Sequence, residues 1–410
     1  MYALELSHNS GNSIFACASK VRKRKDLDMK PFTIQVSEET LEYIRHRVAE
    51  FPWHEMPVDG GWDYGTNLTY MKELCSYWVN DYDWRKQEEA MNKFSHFKAP
   101  VDGVEMHFIV EKGSGATPTP LLISHGWPGS FVESMGIIER LAHPERFGGD
   151  EKDAFDVIVP SLPGFGFSGK VSRPYGPRKM ADVLNSLMVD VLGYKNYVAH
   201  GADWGSAISS WLGYDHAENC DGIHICFPTM RHIDGPQTPE EEAWAKECEV
   251  SPRVVSQDGY RTQQATKPQT LSYAMMDSPV GVAAWIVEKF HAWSDIENDD
   301  VESSHTKDGM LTNIMVYLVT KSFNTSTWIY YGRREEGGRI LGTKERPRVE
   351  VPTAAAMFPA ESFPWPPRSY ADRLYNIVQW TKMPRGGHFS SLEEPELLMD
   401  DIVKFARSLR

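Results

Sequence analysis

The chain has 410 residues, a formal charge of −14 and 41% hydrophobic residues. That is long enough for one large core with an inserted piece, and the acidic balance excludes nucleic acid and anionic membrane as natural partners. No run of about 18 apolar residues is present and the N-terminus lacks the order of a secretory signal, so no membrane contact and a soluble, cytoplasmic protein are expected. Five scattered cysteines without CxxC spacing suggest neither a zinc site nor a disulfide framework. Residues 1–28, with the basic run Lys20 to Lys25, read as a solvated tail, and Met29 offers an alternative start.

From Pro31 the chain becomes organised. Ser37 precedes Glu38, Glu39 and an amphipathic run through Leu41, Ile44 and Val48, which predicts a capped helix ending before Phe51-Pro52-Trp53. Helical spacing continues over Leu68–Tyr82 and Trp84–Phe97, and the many aromatic rings there read as core. After Pro100 the period changes. Short apolar strands at Met106–Val110, Leu121–Ser124, Val157–Pro160, Tyr197–Ala199 and Ile223–Phe227 alternate with helices, the pattern of a mostly parallel sheet covered by helices. Residues 229–345 carry helix formers and no clear strand, which predicts an inserted helical lid. Strand character returns at Val351–Phe358 and Tyr375–Trp380, and Pro395–Leu409 reads as a terminal amphipathic helix. The expected layout is an N-terminal helical arm at 29–100, core at 101–228 and 346–410, and the lid between them.

Four stretches carry chemistry, and they follow the strands. His125-Gly126-Trp127-Pro128-Gly129-Ser130 comes directly after Leu121–Ser124, where the backbone N–H of Trp127 can serve an oxyanion; taken alone it is also a Gly-Pro turn. Gly201-Ala202-Asp203-Trp204-Gly205-Ser206 has the spacing of a nucleophile elbow with a carboxylate in the nucleophile position. Asp203 there would attack carbon and form an ester with itself, with the Trp204 N–H as the second oxyanion donor. Arg385-Gly386-Gly387-His388-Phe389 places a histidine after Tyr375–Trp380, in the chain order nucleophile first and histidine last. Glu361, just past the strand ending near Phe358, is the expected partner of His388, and is preferred to Asp372, which lies at the wrong end of the next strand. His200 and His224 adjoin the sheet and read as structural.

Together these stretches give the chain a resemblance to the microsomal-type epoxide hydrolase family of the α/β-hydrolase fold. The likeness covers nearly everything after Met29. Ser76-Tyr77-Trp78, Asp83-Trp84-Arg85-Lys86-Gln87 and His96-Phe97-Lys98 resemble the family's N-terminal arm, and Asp277-Ser278-Pro279-Val280-Gly281 with Glu288-Lys289-Phe290 resembles its lid, Asp277 reading as a helix cap. The resemblance implies two lid tyrosines that protonate the opening epoxide. By motif they fall on Tyr260, in Gln257-Asp258-Gly259-Tyr260, and on Tyr330 rather than the adjacent Tyr331. It also places Leu162-Pro163-Gly164-Phe165-Gly166-Phe167-Ser168 beside the site, with Phe165, Phe167 and Trp127 as walls of the substrate pocket.

The implied reaction has Asp203 attack an epoxide carbon while Tyr260 and Tyr330 donate to the oxygen, after which His388, oriented by Glu361, activates water to release a vicinal diol. No cofactor or metal is called for. A small-molecule epoxide is the expected partner, and the arm's aromatics can pack on the chain's own lid or on a second subunit in a homodimer. A haloalkane dehalogenase would use the same aspartyl ester without paired lid tyrosines. An epoxide-opening cyclase would keep the tyrosines without needing the water-activating pair, and a non-catalytic binding protein would need none of these groups.

Overall fold

The structure, a computed structural model, describes residues 29–227 and 229–410; the basic run of the tail and Cys17 lie outside the described residues. The strands in chain order are β1 (Lys30–Phe32), β2 (His96–Val101), β3 (Val104–Glu111), β4 (Thr119–Ser124), β5 (Phe155–Pro160), β6 (Tyr197–Gly201), β7 (Cys220–Ile225), β8 (Arg231–His232), β9 (Ile340–Leu341), β10 (Val349–Met357) and β11 (Tyr375–Lys382). The α-helices are α1 (Glu38–Ala49), α2 (Leu68–Asn80) and α3 (Trp84–Met91), then α4 (Met135–Ala142), α5 (Pro177–Ser186) and α6 (Trp204–Asp215). Seven more follow: α7 (Pro239–Val250), α8 (Pro252–Ser256), α9 (Gly259–Thr266), α10 (Pro268–Met275), α11 (Pro279–Trp293), α12 (Lys307–Val319) and α13 (Phe323–Glu335). The chain ends with α14 (Arg368–Leu374), α15 (Ser390–Glu393) and α16 (Pro395–Ser408).

Nine strands make one sheet in the order β1-β2-β3-β5-β4-β6-β7-β10-β11. From β5 to β11 every pairing is parallel, and β1, β2 and β3 add an antiparallel flank. The central strands are buried on both faces, as parallel strands must be when helices cover them: every residue of β5 and β6 is buried. Alternation along β7 shows both covers. A Cβ on Gly222 would meet Leu409 and Phe405 at the C-terminal end of the chain, while its neighbour Ile223 packs against Gly213 of α6.

The chain runs from β4 outward to β5 and then returns across β4 to β6. The C-terminal ends of β4 and β6 therefore lie side by side at the point where the strand order reverses, which is where an open α/β sheet leaves a crevice for a ligand.

The structure departs from the sequence reading at four places. The segment Trp84–Phe97 is helical only to Met91, and His96 begins β2, which pairs residue for residue with β3. The arm is thus not purely helical, since β1 and β2 extend the main sheet. The lid also holds two short strands, β8 and β9, paired parallel across more than a hundred residues. Finally, α11 is capped by Ser278, whose side chain accepts the Gly281 N–H; Asp277 instead accepts a bond from Arg47 of α1. The arm's aromatics turn to the chain's own lid: Tyr77 donates to Asp308, Tyr82 bonds Thr312, and the Trp62 ring stacks on His291.

Candidate active site

Asp203 sits on the turn between β6 and α6 with φ 48° and ψ −123°. A non-glycine residue in the left-handed region costs roughly 1–3 kcal/mol and persists only where the surroundings hold it. Here they do, because the turn leaves no room for alternatives. A Cβ on Gly201 would overlap the backbone of Gly205, one on Gly205 would overlap the Ser124 carbonyl, and one on Gly126 would overlap the Asp203 carboxylate itself. The strand-turn-helix wedge thus lifts the carboxylate against the loop that follows β4.

That loop supplies its donors. The Trp127 N–H donates to Asp203 Oδ1 at 2.8 Å, and the Trp204 N–H at the start of α6 also faces the carboxylate. Lid helix α12 clamps the loop from outside, with Asn313 donating to the Pro128 carbonyl at 2.7 Å and Tyr317 to the Gly129 carbonyl at 2.6 Å. Burial pushes the Asp203 pKa above its ordinary value, while the His388 charge and the two N–H groups pull against that rise.

His388 stands opposite. Its Nε2 lies 3.7 Å from Asp203 Oδ2, and its Nδ1 lies 2.9 Å from Glu361 Oε2. The backbone fixes the ring: the His388 N–H donates to the Trp293 carbonyl at 2.9 Å, and a Cβ on Gly387 would come within 2.6 Å of that same carbonyl. Phe227, Trp293 and Phe389 pack round the imidazole. Burial alone would lower its pKa, but the Glu361 carboxylate, which faces and bonds it, holds it up, with help from Asp203 and Glu133, at about 9. Glu361 is fixed in turn by the Ser362 N–H and hydroxyl, both of which donate to Oε1.

The roof is aromatic. Tyr260 on α9 stacks on Trp127 at 5.2 Å, and Tyr330 on α13 stands edge-on to Trp204 at 4.7 Å and to Tyr260 at 5.7 Å. The buried Tyr330 hydroxyl sits beside Tyr260 and the Trp204 indole without reaching hydrogen-bond geometry with either. The Trp204 and Trp127 indole N–H groups likewise have no hydrogen-bond partner among the described residues. Such groups are rare in a folded interior and call for an explanation, which a polar atom arriving with a ligand would supply. Burial raises the pKa of both phenols, so both carry their proton at neutral pH. Tyr331 faces away, half-buried, toward the Arg334 guanidinium.

Asp203, His388, Glu361, Tyr260, Tyr330, Trp127 and Trp204 therefore come together. Phe165 and Phe167 do not: Phe165 packs on His125, and Phe167 is wedged among Phe32, His107 and Phe131 where the arm meets the sheet. Both sit in aromatic packing, and neither lines the small cavity beside Asp203. His200 of β6 and His224 of β7 bond each other through Nδ1 at 3.0 Å, and His224 Nε2 lies 3.1 Å from Asp401.

One residue at the site escaped the sequence reading. Glu133, in the short 3-10 turn Phe131–Ser134, borders the cavity that Asp203, His388, Gly126 and Trp127 also line. Ser130-Phe131-Val132-Glu133 has the form of a capping box, which would send the glutamate back to its own helix end. Its side chain instead lies beside Asp203 and His388.

Two family models match the chain, one described as "Epoxide hydrolase N terminus" over residues 29–134 and one as "alpha/beta hydrolase fold" over residues 119–299. The sequence is 34% identical over 407 residues to "Epoxide hydrolase 1" of Oryctolagus cuniculus, covering 93% of this chain and 89% of that protein. Among solved structures, juvenile hormone epoxide hydrolase from the silkworm Bombyx mori superposes with a TM-score of 0.81 at 26% identity, covering 95% of this chain and 96% of that one. An epoxide hydrolase from Aspergillus niger superposes with a TM-score of 0.80 at 25% identity, covering 94% and 98%.

Proposed function

The chain belongs to the epoxide hydrolase family on the α/β-hydrolase fold, and on that premise we propose that it opens a small apolar epoxide through a covalent ester on Asp203. The observation that carries this assignment of roles is the convergence of Asp203, the His388–Glu361 pair and two protonated phenols on one closed aromatic site. In the first step an Asp203 oxygen attacks an epoxide carbon, the C–O bond of the ring breaks, and Tyr260 and Tyr330 donate to the oxygen that leaves it. The aromatic roof favours an apolar body round that ring.

Ester formation itself prepares the second step. While Asp203 is a carboxylate its charge helps to keep His388 protonated. Alkylation makes Asp203 neutral, so the imidazole loses one of its supports and yields its proton more readily. His388 can then take a proton from water, and the hydroxyl adds to Asp203 Cγ while the Trp127 and Trp204 N–H groups hold the oxyanion. Collapse expels the diol. Among the described residues no helix is long and apolar enough to cross a membrane, and Tyr43, Trp53 and Tyr64 of the arm stay exposed, a surface on which a second subunit can pack.

Single-turnover mass spectrometry with styrene oxide in oxygen-18 water tests these roles. The native protein is expected to make diol and place oxygen-18 in Asp203. Asp203→Ala should form neither diol nor adduct, and His388→Ala should trap the ester, with its hydrolysis slowed by about 10²–10⁴-fold. An adduct that persists in Asp203→Ala would overturn the assignment.

A further inference from the structure

Glu133 is the one carboxylate at the site to which the reaction above gives no work. It is buried, and among the described residues no hydrogen bond or ion pair engages its carboxylate, although each of the other two carboxylates at the site has partners. A buried carboxylate without a partner is costly, and surplus acids are normally bonded or replaced. Here the chain makes room for it: a Cβ on Gly129 would overlap Glu133 Oε1, so the glycine lets the carboxylate lie against the loop that carries Trp127. The carboxylate borders a cavity of about 10 Å³ whose other walls are Gly126, Trp127, Gly129, Ala202, Asp203, His388 and Phe389. That is the space of a single water molecule, bounded by the nucleophile, the base and one unpaired acceptor.

Building on the ester route, we propose that Glu133 is a catalytic residue that holds the hydrolytic water. Its carboxylate accepts one hydrogen of the water while His388 Nε2 takes the other as a proton, which aims the oxygen lone pair at Asp203 Cγ. The O–H bond to His388 breaks as the water oxygen bonds Cγ, giving a tetrahedral oxyanion under the Trp127 and Trp204 N–H groups. The oxyanion collapses, the bond from Cγ to the alkyl oxygen breaks, and that oxygen takes the proton back from His388. Asp203 leaves as a carboxylic acid with one oxygen from water, its proton returns to the phenolate that protonated the epoxide oxygen, and no oxidant or cofactor enters the balance.

The electrostatics of the two steps agree with this role. Burial raises Glu133 to about 8, with the Asp203 charge pushing the same way and His388 opposing. Before attack, a neutral Glu133 spares the nucleophile a second negative charge beside it. After attack, the Asp203 charge is gone, and ionised Glu133 can accept from water and stabilise the imidazolium that forms.

The test is transient kinetics of Glu133→Gln with styrene oxide, following adduct by intact-protein mass spectrometry. Alkylation is expected to stay within about threefold of native, while ester hydrolysis slows by about 30- to 100-fold, within the range for a group that manages a proton in the transition state. The adduct should then accumulate at steady state. Equal slowing of both steps would mark a structural role and overturn the proposal, as would hydrolysis at the native rate. If Glu133→Gln does not fold, Glu133→Asp keeps the charge but withdraws it by one methylene. It should show the same split at roughly tenfold, and native-rate hydrolysis in that variant would equally overturn the proposal. Oxygen-18 entry into Asp203 of the native protein reports the ester route separately, so failure of that route is not confused with failure of the role of Glu133.

Discussion

At the level of single residues, the site is a set of charges held at odds with their surroundings. Asp203 is largely but not fully buried, and two N–H groups and the His388 imidazolium favour its charged form, the form the proposed attack requires. Its pKa is raised above 3.8 by that burial, and it must be ionised to attack. Protonation therefore removes activity, and a raised pKa moves that loss upward in pH. The acid limb of kcat/KM, which reports the free enzyme, is expected above 3.8, with about a tenfold fall per pH unit below it. A pH profile with its acid limb at or below that value would contradict the burial argument. Asp203, His388 and Glu361 can be picked out in the sequence because each follows a strand; glycines flank Asp203 and precede His388, whereas Glu361 is marked only by its place just after β10. Glu133 was not legible, since its role depends on a 3-10 turn that denies it the cap its spacing suggests.

Among elements, the elbow rests on contacts that no side chain can replace. Gly205 brings the start of α6 against the Ser124 carbonyl at the end of β4. Gly205→Ala must push the helix from the strand, and the expected cost is about 1–3 kcal/mol of stability together with loss of the Asp203 adduct. Gly136 in α4 gives the contrast, because a Cβ there meets nothing within 4 Å. Gly136→Ala should stabilise by about 0.4–1 kcal/mol and leave alkylation at its native rate. Thermal melts with single-turnover assays check both, and a harmless Gly205→Ala would refute the wedge. The same contrast explains what was readable in the fold. The buried runs of β4 and β6 announce themselves by apolar continuity, whereas β2 carries Lys98 and Pro100 and does not alternate cleanly in burial. Two-residue strands such as β8 and β9 have no period to read, and only the folded chain brings them together.

Across the molecule, the arm reaches the chemistry through the lid. Trp62 lies flat on His291 at 3.8 Å, and Thr66 donates to the Ala284 carbonyl, so the arm grips α11 along its length. The last residue of α11 is Trp293, whose carbonyl accepts the His388 N–H and whose ring packs on both His388 and Tyr260. A continuous set of contacts thus links an arm side chain to the base and to one of the two phenols. Continuity alone does not prove energetic coupling, which needs an element that responds. Trp62→Ala supplies the perturbation: the stacked pair contributes about 0.5–1.5 kcal/mol beyond the buried area, and that loss falls on the lid rather than the sheet. Hydrogen exchange should quicken in α11 while β5 and β6 keep native protection, since regions open locally according to their own contacts. Ester hydrolysis should slow with it, because His388 loses a fixed carbonyl partner. Equal loss of protection in sheet and lid would mean that Trp62 supports global stability alone, and the arm would then be a cover with no hold on the base.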